Sequence, residues 1–239
     1  MARKIYKWRI AGFIFKAICS LFIAAVVLLL LWRIIDNAND PREMDTIIPN
    51  QALCDAYAQN GGELNTYYQD QTRYTRGETN SGYFAVTQFV FIDEADQLQL
   101  VFRYNNSTLK YTKQDYKLPE LPSRDDNVYD VTVTIMYDLT PDNPDDNDGK
   151  TPEAVIYERF YASDILACKK TLYNYRKFVF DDIKIDESVL AVYVDVYYVG
   201  DIDYEEKPYG SLMLYSYNEE NIEYKLSASD KKSIEEWTP

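Results

Sequence analysis

Two hydrophobic rhythms divide the chain. Between Lys16 and Arg33 the chain is predominantly apolar and carries no charge, sixteen residues in a row over 17–32. With Arg33 snorkelling, the run reaches Ile35, about 28 Å of helix against a bilayer core of ~30 Å. It has no polar face, which argues against an amphipathic core helix. A cleaved export signal would carry a shorter apolar region of about 7–15 residues, followed by a small-x-small site. Here the run ends in Trp-Arg-Ile-Ile. The pattern predicts one transmembrane helix over 17–35. Lys16 and Arg33 lift their charges toward the head groups, and Trp8 and Trp32 suit the interfacial belts.

Beyond residue 82 the period changes to two. Leu98, Leu100, Phe102 and Tyr104 share one face of 97–104. Val131, Val133, Ile135 and Tyr137 alternate with Thr132, Thr134 and Met136. Over 190–199, Leu190, Val192, Val194, Val196 and Tyr198 face one way, and Ala191, Tyr193, Asp195 and Tyr197 the other. With 84–92, 154–161, 176–185, 212–217 and 222–226 this makes about eight strands bounded by Asp, Asn, Gly and Ser clusters. The expected fold is all-β, an antiparallel β-sandwich of Ig-like or jelly-roll type, with a closed barrel as the alternative. Helices are expected only at the margins, over 51–59, where Asn60-Gly61-Gly62 stops the turn, and over 229–237. Residues 1–16 then form a basic segment, 36–82 a stalk and loop with the short helix, 83–228 the sandwich and 229–239 a tail.

Charge sharpens this division. The protein has 239 residues, 25 Lys and Arg, 39 Asp and Glu, and no His. Six basic residues and no acid precede Asp36, leaving 19 basic against 39 acidic residues and a net charge of −20 from there on. By the positive-inside rule the amino terminus stays in the cytoplasm and the large domain lies outside the plasma membrane, on an uncleaved signal anchor. A domain this acidic is repelled by nucleic acid and anionic lipid, so the partners its charge permits are basic peptides, cations or a basic partner protein. The absence of His removes Ser-His-Asp and Cys-His catalysis and His-ligated zinc. The Tyr-, Asn-, Asp- and Lys-rich composition suits a bacterial cell envelope.

Three groups of residues are candidates for chemistry. Cys54 and Cys168 both fall outside the membrane, and a bridge between them would close a loop of about 115 residues, worth about 4 kcal/mol. Asp146 and Asp148, in Asp146-Asn147-Asp148-Gly149, offer oxygen ligands and a permissive glycine for calcium, although Pro144 and Val155 break the EF-hand register. Tyrosines are the third group, 23 of them. Tyr193 and Tyr197 share a strand face, and Tyr204 and Tyr209 occupy the loop after it. A phenol offers a flat apolar face with a polar tip, suited to glycan or protein contact. Asn105-Asn106-Ser107-Thr108 holds two overlapping glycosylation acceptors, which matter only in a eukaryotic secretory setting.

The expected protein is a single-pass, non-catalytic membrane protein without a cofactor. It presents an acidic β-sandwich that binds a protein or an envelope glycan. Two alternatives accompany this reading. One is an anchored polysaccharide hydrolase using a carboxylate pair. The other is an accessory subunit of a membrane complex, in which Ser20 and Ala24 give the span a small-residue packing face.

Overall fold

The computed structural model describes residues 2–38, 40–64, 66–76, 79–138, 155–162, 164–184, 188–201, 208–216 and 222–237. The apolar run lies in one helix, α1 (Ala2–Ala38). Its segment Gly12–Asp36 is long and apolar enough to cross a membrane, and none of it is buried against protein. Leu21, Phe22, Leu28 and Trp32 are each more than 60% exposed. In water that surface would be a large uncompensated cost, and hydrocarbon is the solvent that removes it.

Residues Pro41–Pro239 form a separate unit. Its strands are β1 (Thr66–Arg76), β2 (Thr79–Ile92), β3 (Gln97–Asn105), β4 (Tyr129–Asp138), β5 (Val155–Tyr161), β6 (Asp164–Lys169), β7 (Tyr173–Phe180), β8 (Val189–Tyr198), β9 (Gly210–Ser216) and β10 (Ile222–Tyr224). Two antiparallel four-stranded sheets result, β2-β3-β7-β6 and β5-β4-β8-β9. β1 pairs along β2 and meets β9 at Thr75↔Ser211, joining both sheets into one path, while β10 pairs with β1. Residues 66–76 are therefore strand, not the loop their polar composition suggests.

The core fills the space between the sheets. Leu98, Leu100, Phe102 and Tyr104 enter it from β3, Val131, Val133 and Ile135 from β4, and Val192, Val194 and Val196 from β8. These are the alternating faces legible in the sequence. Two bulges change the phase elsewhere. β2 slips against β3 between Val86 and Gln88, so the core takes Phe84 and Val86 before the slip and Phe89 and Phe91 after it. β8 slips against β4 so that Tyr137 meets Val189, and Val189 takes the core place expected of Leu190. An extra residue moves every following side chain to the opposite face.

The other face of β2-β3-β7 is also covered. The short helices α2 (Arg42–Asp45), α3 (Gln51–Gln59) and α5 (Ala228–Glu235) contribute to this layer. Met44 packs with Val101 and Tyr175, and Ile47, Leu53 and Ile234 with Val90 and Ile92. Residues 41–49 thus lie along the sheet as a strap instead of hanging free as a stalk. Buried polar side chains hold its backbone. Gln99 forms a reciprocal pair, accepting from Ile48 N at 2.9 Å and donating to Ile48 O at 2.7 Å. Gln88 donates to Asp45 O at 2.9 Å, and Lys177 Nζ donates to Met44 O and Thr46 O at 2.8 and 2.7 Å. Asp230 accepts from Ile47 N at 2.8 Å and, through its other oxygen, from Ser227 N, closing the capping box of α5.

α4 (Asn106–Asp115) closes one end of the sandwich. Asn105 is its N-cap, accepting from Ser107 N and Thr108 N, while Thr108 completes the capping box. The Asn-Asn-Ser-Thr stretch acts here as a helix start. Leu109 enters the core, and Thr112 hydrogen-bonds the Tyr129 hydroxyl at 2.6 Å.

Candidate functional site

The outer face of β5-β4-β8-β9 carries the aromatic surface. Residues opposite one another on paired strands share a face, and alternate residues repeat it. Tyr161 is opposite Thr132, Arg159 opposite Thr134 and Tyr157 opposite Met136. On the other side of β4, Thr132 meets Asp195 and Thr134 meets Tyr193. β9 then adds Ser211 beside Asp195 and Met213 beside Tyr193. Tyr157, Tyr161 and Met213 are 62%, 63% and 47% exposed, and Tyr193 is half-buried.

A carboxylate anchors the centre of this face. Asp195 is buried and accepts from Thr134 Oγ1 at 3.0 Å and Ser211 Oγ at 2.5 Å. Both donors come from neighbouring strands, so the acid ties three strands together across the sheet. Tyr197 lies on the same strand face but is only 2% exposed. The Arg159 guanidinium stands 5.7 Å from its ring centre. Burial, and then Asp195, push its phenol above the usual range, against the pull of Arg159. Tyr197 is therefore a packed base for the face and not an exposed contact, because a central strand gives its side chain neighbours on both sides.

Tyr209 also has a packing role. Its ring meets Phe84 edge-on at 5.6 Å and lies 5.6 Å from Tyr116, and its hydroxyl donates to Asp115 Oδ2 at 2.8 Å. Tyr116 in turn meets Tyr198 at a tilt, with ring centres 4.5 Å apart. These rings form an aromatic corner beside α4, away from the outer face. Burial and the nearby Asp201 raise the Tyr116 phenol.

Cys54 and Cys168 are not in a disulfide and lie in separate apolar clusters, Cys54 with Ile47 and Ile234 and Cys168 with Met44 and Tyr175. The structure does not bring them together. Burial, then Asp55, raises the Cys54 thiol. Asp146, Asp148 and Tyr204 lie outside the described residues, so the calcium loop has no geometry to report. Among the described residues no group of three or more Cys, Asp or Glu is placed to hold a metal ion. Lys16, Trp32 and Arg33 are exposed on α1, which also contains Trp8.

No known family, curated protein or solved structure matches this chain. The functional reading therefore rests on the site itself. Sequence pattern located Tyr193, but not Tyr157, Arg159 and Tyr161. Their strand was predicted, whereas its place at the end of the sheet, which exposes them, is set by pairing across distant parts of the chain.

Proposed function

We propose that the protein is a non-catalytic, single-pass signal-anchor protein whose acidic extracytoplasmic domain binds a protein or an envelope glycan. The binding surface in this reading is the outer face of β5-β4-β8-β9. The observation that carries it is the pair of exposed rings Tyr157 and Tyr161 on one strand face, with Arg159 between them and Tyr193 across β4. Large exposed aromatics on a rigid sheet supply contact area at small entropic cost. The apolar helix and the charge contrast across it support an anchor with a cytoplasmic amino terminus.

A photo-crosslinking amino acid in place of Tyr157 or Tyr193 in the full chain, in its native membrane, tests the face. The expected result is one defined protein or glycan adduct from each, and none from the same probe at Leu172, which is exposed beyond β6. Equal labelling from all three positions, or none from either face position, overturns the reading. Protease added to intact cells tests the orientation. Residues 41–239 should be cut without lysis, and protection that ends only on lysis reverses the topology.

A further inference from the structure

The nine-strand path ends at β5 and β6, and these two edges are built differently. β6 is six residues long, bulges against β7 between Asp164 and Leu166, and ends at Lys169 beside Lys170. A bulge and lysines are devices by which an edge refuses another strand. β5 is a seven-residue ladder on β4, from Thr132↔Tyr161 to Asp138↔Val155, with no bulge, Gly, Pro or Lys. Its Ile156, Tyr157 and Tyr161 are 50%, 62% and 63% exposed. Among the described residues, β5 pairs with β4 alone.

One charge on β5 points toward the core side. Glu158 is opposite Ile135, a fully buried core residue, yet Glu158 itself is exposed. An inward charge is itself an edge defence, and it defines what the edge rejects. Two copies of β5 would pair about a twofold axis normal to the sheet, keeping each residue on its own side. The register that uses all of 155–161 then centres on Glu158 and sets it against its own copy. Like charges directly opposite are destabilising, and two bodies of net charge −20 repel one another further. A strand with a cation at that position meets neither obstacle.

From this we infer that β5 accepts an extended segment of a different polypeptide as a further antiparallel strand, with Lys or Arg opposite Glu158 and apolar residues opposite Ile156 and Phe160. The inference rests on the binding face proposed above and assigns its partner to protein in place of glycan. Main-chain bonds to β5 provide the affinity and the alternate side chains provide the selection.

Two capped peptides test it on the full chain in detergent micelles, Thr-Val-Tyr-Lys-Tyr-Val-Thr and its counterpart with a central Glu. The Lys peptide should bind about fivefold more tightly, the scale of one cross-strand charge pair. It should slow hydrogen exchange within 155–161 and not within 164–169. Glu158→Lys, an exposed change, should reverse the preference between the peptides. Equal binding, absent binding, protection at β6, or a preference unmoved by E158K overturns the inference. If the peptides fail while the Tyr193 adduct persists, strand addition is wrong and the face stands; loss of both removes both.

Discussion

Lys177 Nζ donates to the Met44 carbonyl at 2.8 Å across 133 residues of sequence. A second bond reaches Thr46 O at 2.7 Å, so one buried ammonium holds the C-terminal end of the strap's short helix α2. Burial lowers the Lys177 pKa from 10.5 to about 8, although Asp230 and Asp45 favour the charged form. The unfolded chain therefore binds more protons than the folded one between pH 8 and 10.5, and this group makes stability rise with pH in that window. Below pH 8 its penalty is present in full. In urea unfolding from pH 7.5 to 9.5, the difference between wild type and Lys177→Met should change steadily with pH. A constant difference would show that the lysine is not buried as a cation.

Tyrosines act in the opposite direction at higher pH. Burial is the leading cause raising the phenols of Tyr116, Tyr129, Tyr197 and Tyr198. Their contribution is complete below the unfolded value of about 10 and is lost as pH rises beyond it. Absorbance at the tyrosinate band should therefore show one early fraction from exposed rings and a later fraction released together with unfolding. Smooth titration of all tyrosines before unfolding would contradict the buried placement.

Asp230 serves the cap of α5 and the strap together. Asp230→Ala removes the bonds to Ile47 N and Ser227 and should cost about 2–3 kcal/mol, the scale of lost charge-assisted bonds plus a helix cap. Asp230→Asn keeps one acceptor oxygen and should cost less. Limited proteolysis is the informative readout, with new cleavage expected within 41–50 in the alanine variant. Cleavage confined to α5 would mean that the strap does not depend on this carboxylate.

Cys54 and Cys168 give a test with a clear difference in magnitude. Cys54→Ser with Cys168→Ser should change unfolding free energy by about 1–2 kcal/mol, through lost apolar contacts, instead of the ~4 kcal/mol of a long-loop bridge. Both thiols should react with maleimide once the protein is unfolded without reductant. A protein that requires reductant to label would place a disulfide where the structure has none.

Gly200 is required by a ring. A Cβ there would collide with the Tyr198 hydroxyl and ring edge. Gly200→Ala should displace Tyr198 from Tyr116, now 4.5 Å away, and lower stability by about 1 kcal/mol, the scale of one aromatic pair. Tyr198→Leu should remove the sensitivity to Ala at 200. If the alanine costs as much in that background, the collision is not the cause.

Legibility in the sequence followed the range of the forces involved. The β3 face of Leu98, Leu100, Phe102 and Tyr104 was readable because every second residue of that stretch is large and apolar, Val101 being the one apolar residue between them. β2 looked merely dense, since a bulge changes its phase and its Val90 and Ile92 lie under a second apolar layer. β1, with Gln69, Asp70, Gln71 and Arg73, has no apolar period and is a strand because β2 pairs with it. α4 was hidden behind an acceptor motif that is also a capping box. The strap was unreadable because its anchors, Gln88, Gln99, Lys177 and Asp230, lie far along the chain. At the candidate face, Tyr193 followed from local alternation, whereas burial of Tyr197 and exposure of Tyr157 depended on strand order.

β1 gives the two sheets a shared spine. It runs beside β2 in one leaf and touches β9 of the other at Thr75↔Ser211, while the opposite margin ends at β5 and β6. Among the described residues, backbone pairing therefore binds the leaves to one another along this one side. Like a book, such a body opens most easily at its fore-edge, where displacement is largest for a given rotation about the spine. Strain applied to this margin acts with the full width of the sheets as its lever arm, so the core beside Phe160 should loosen before the core beside Phe84.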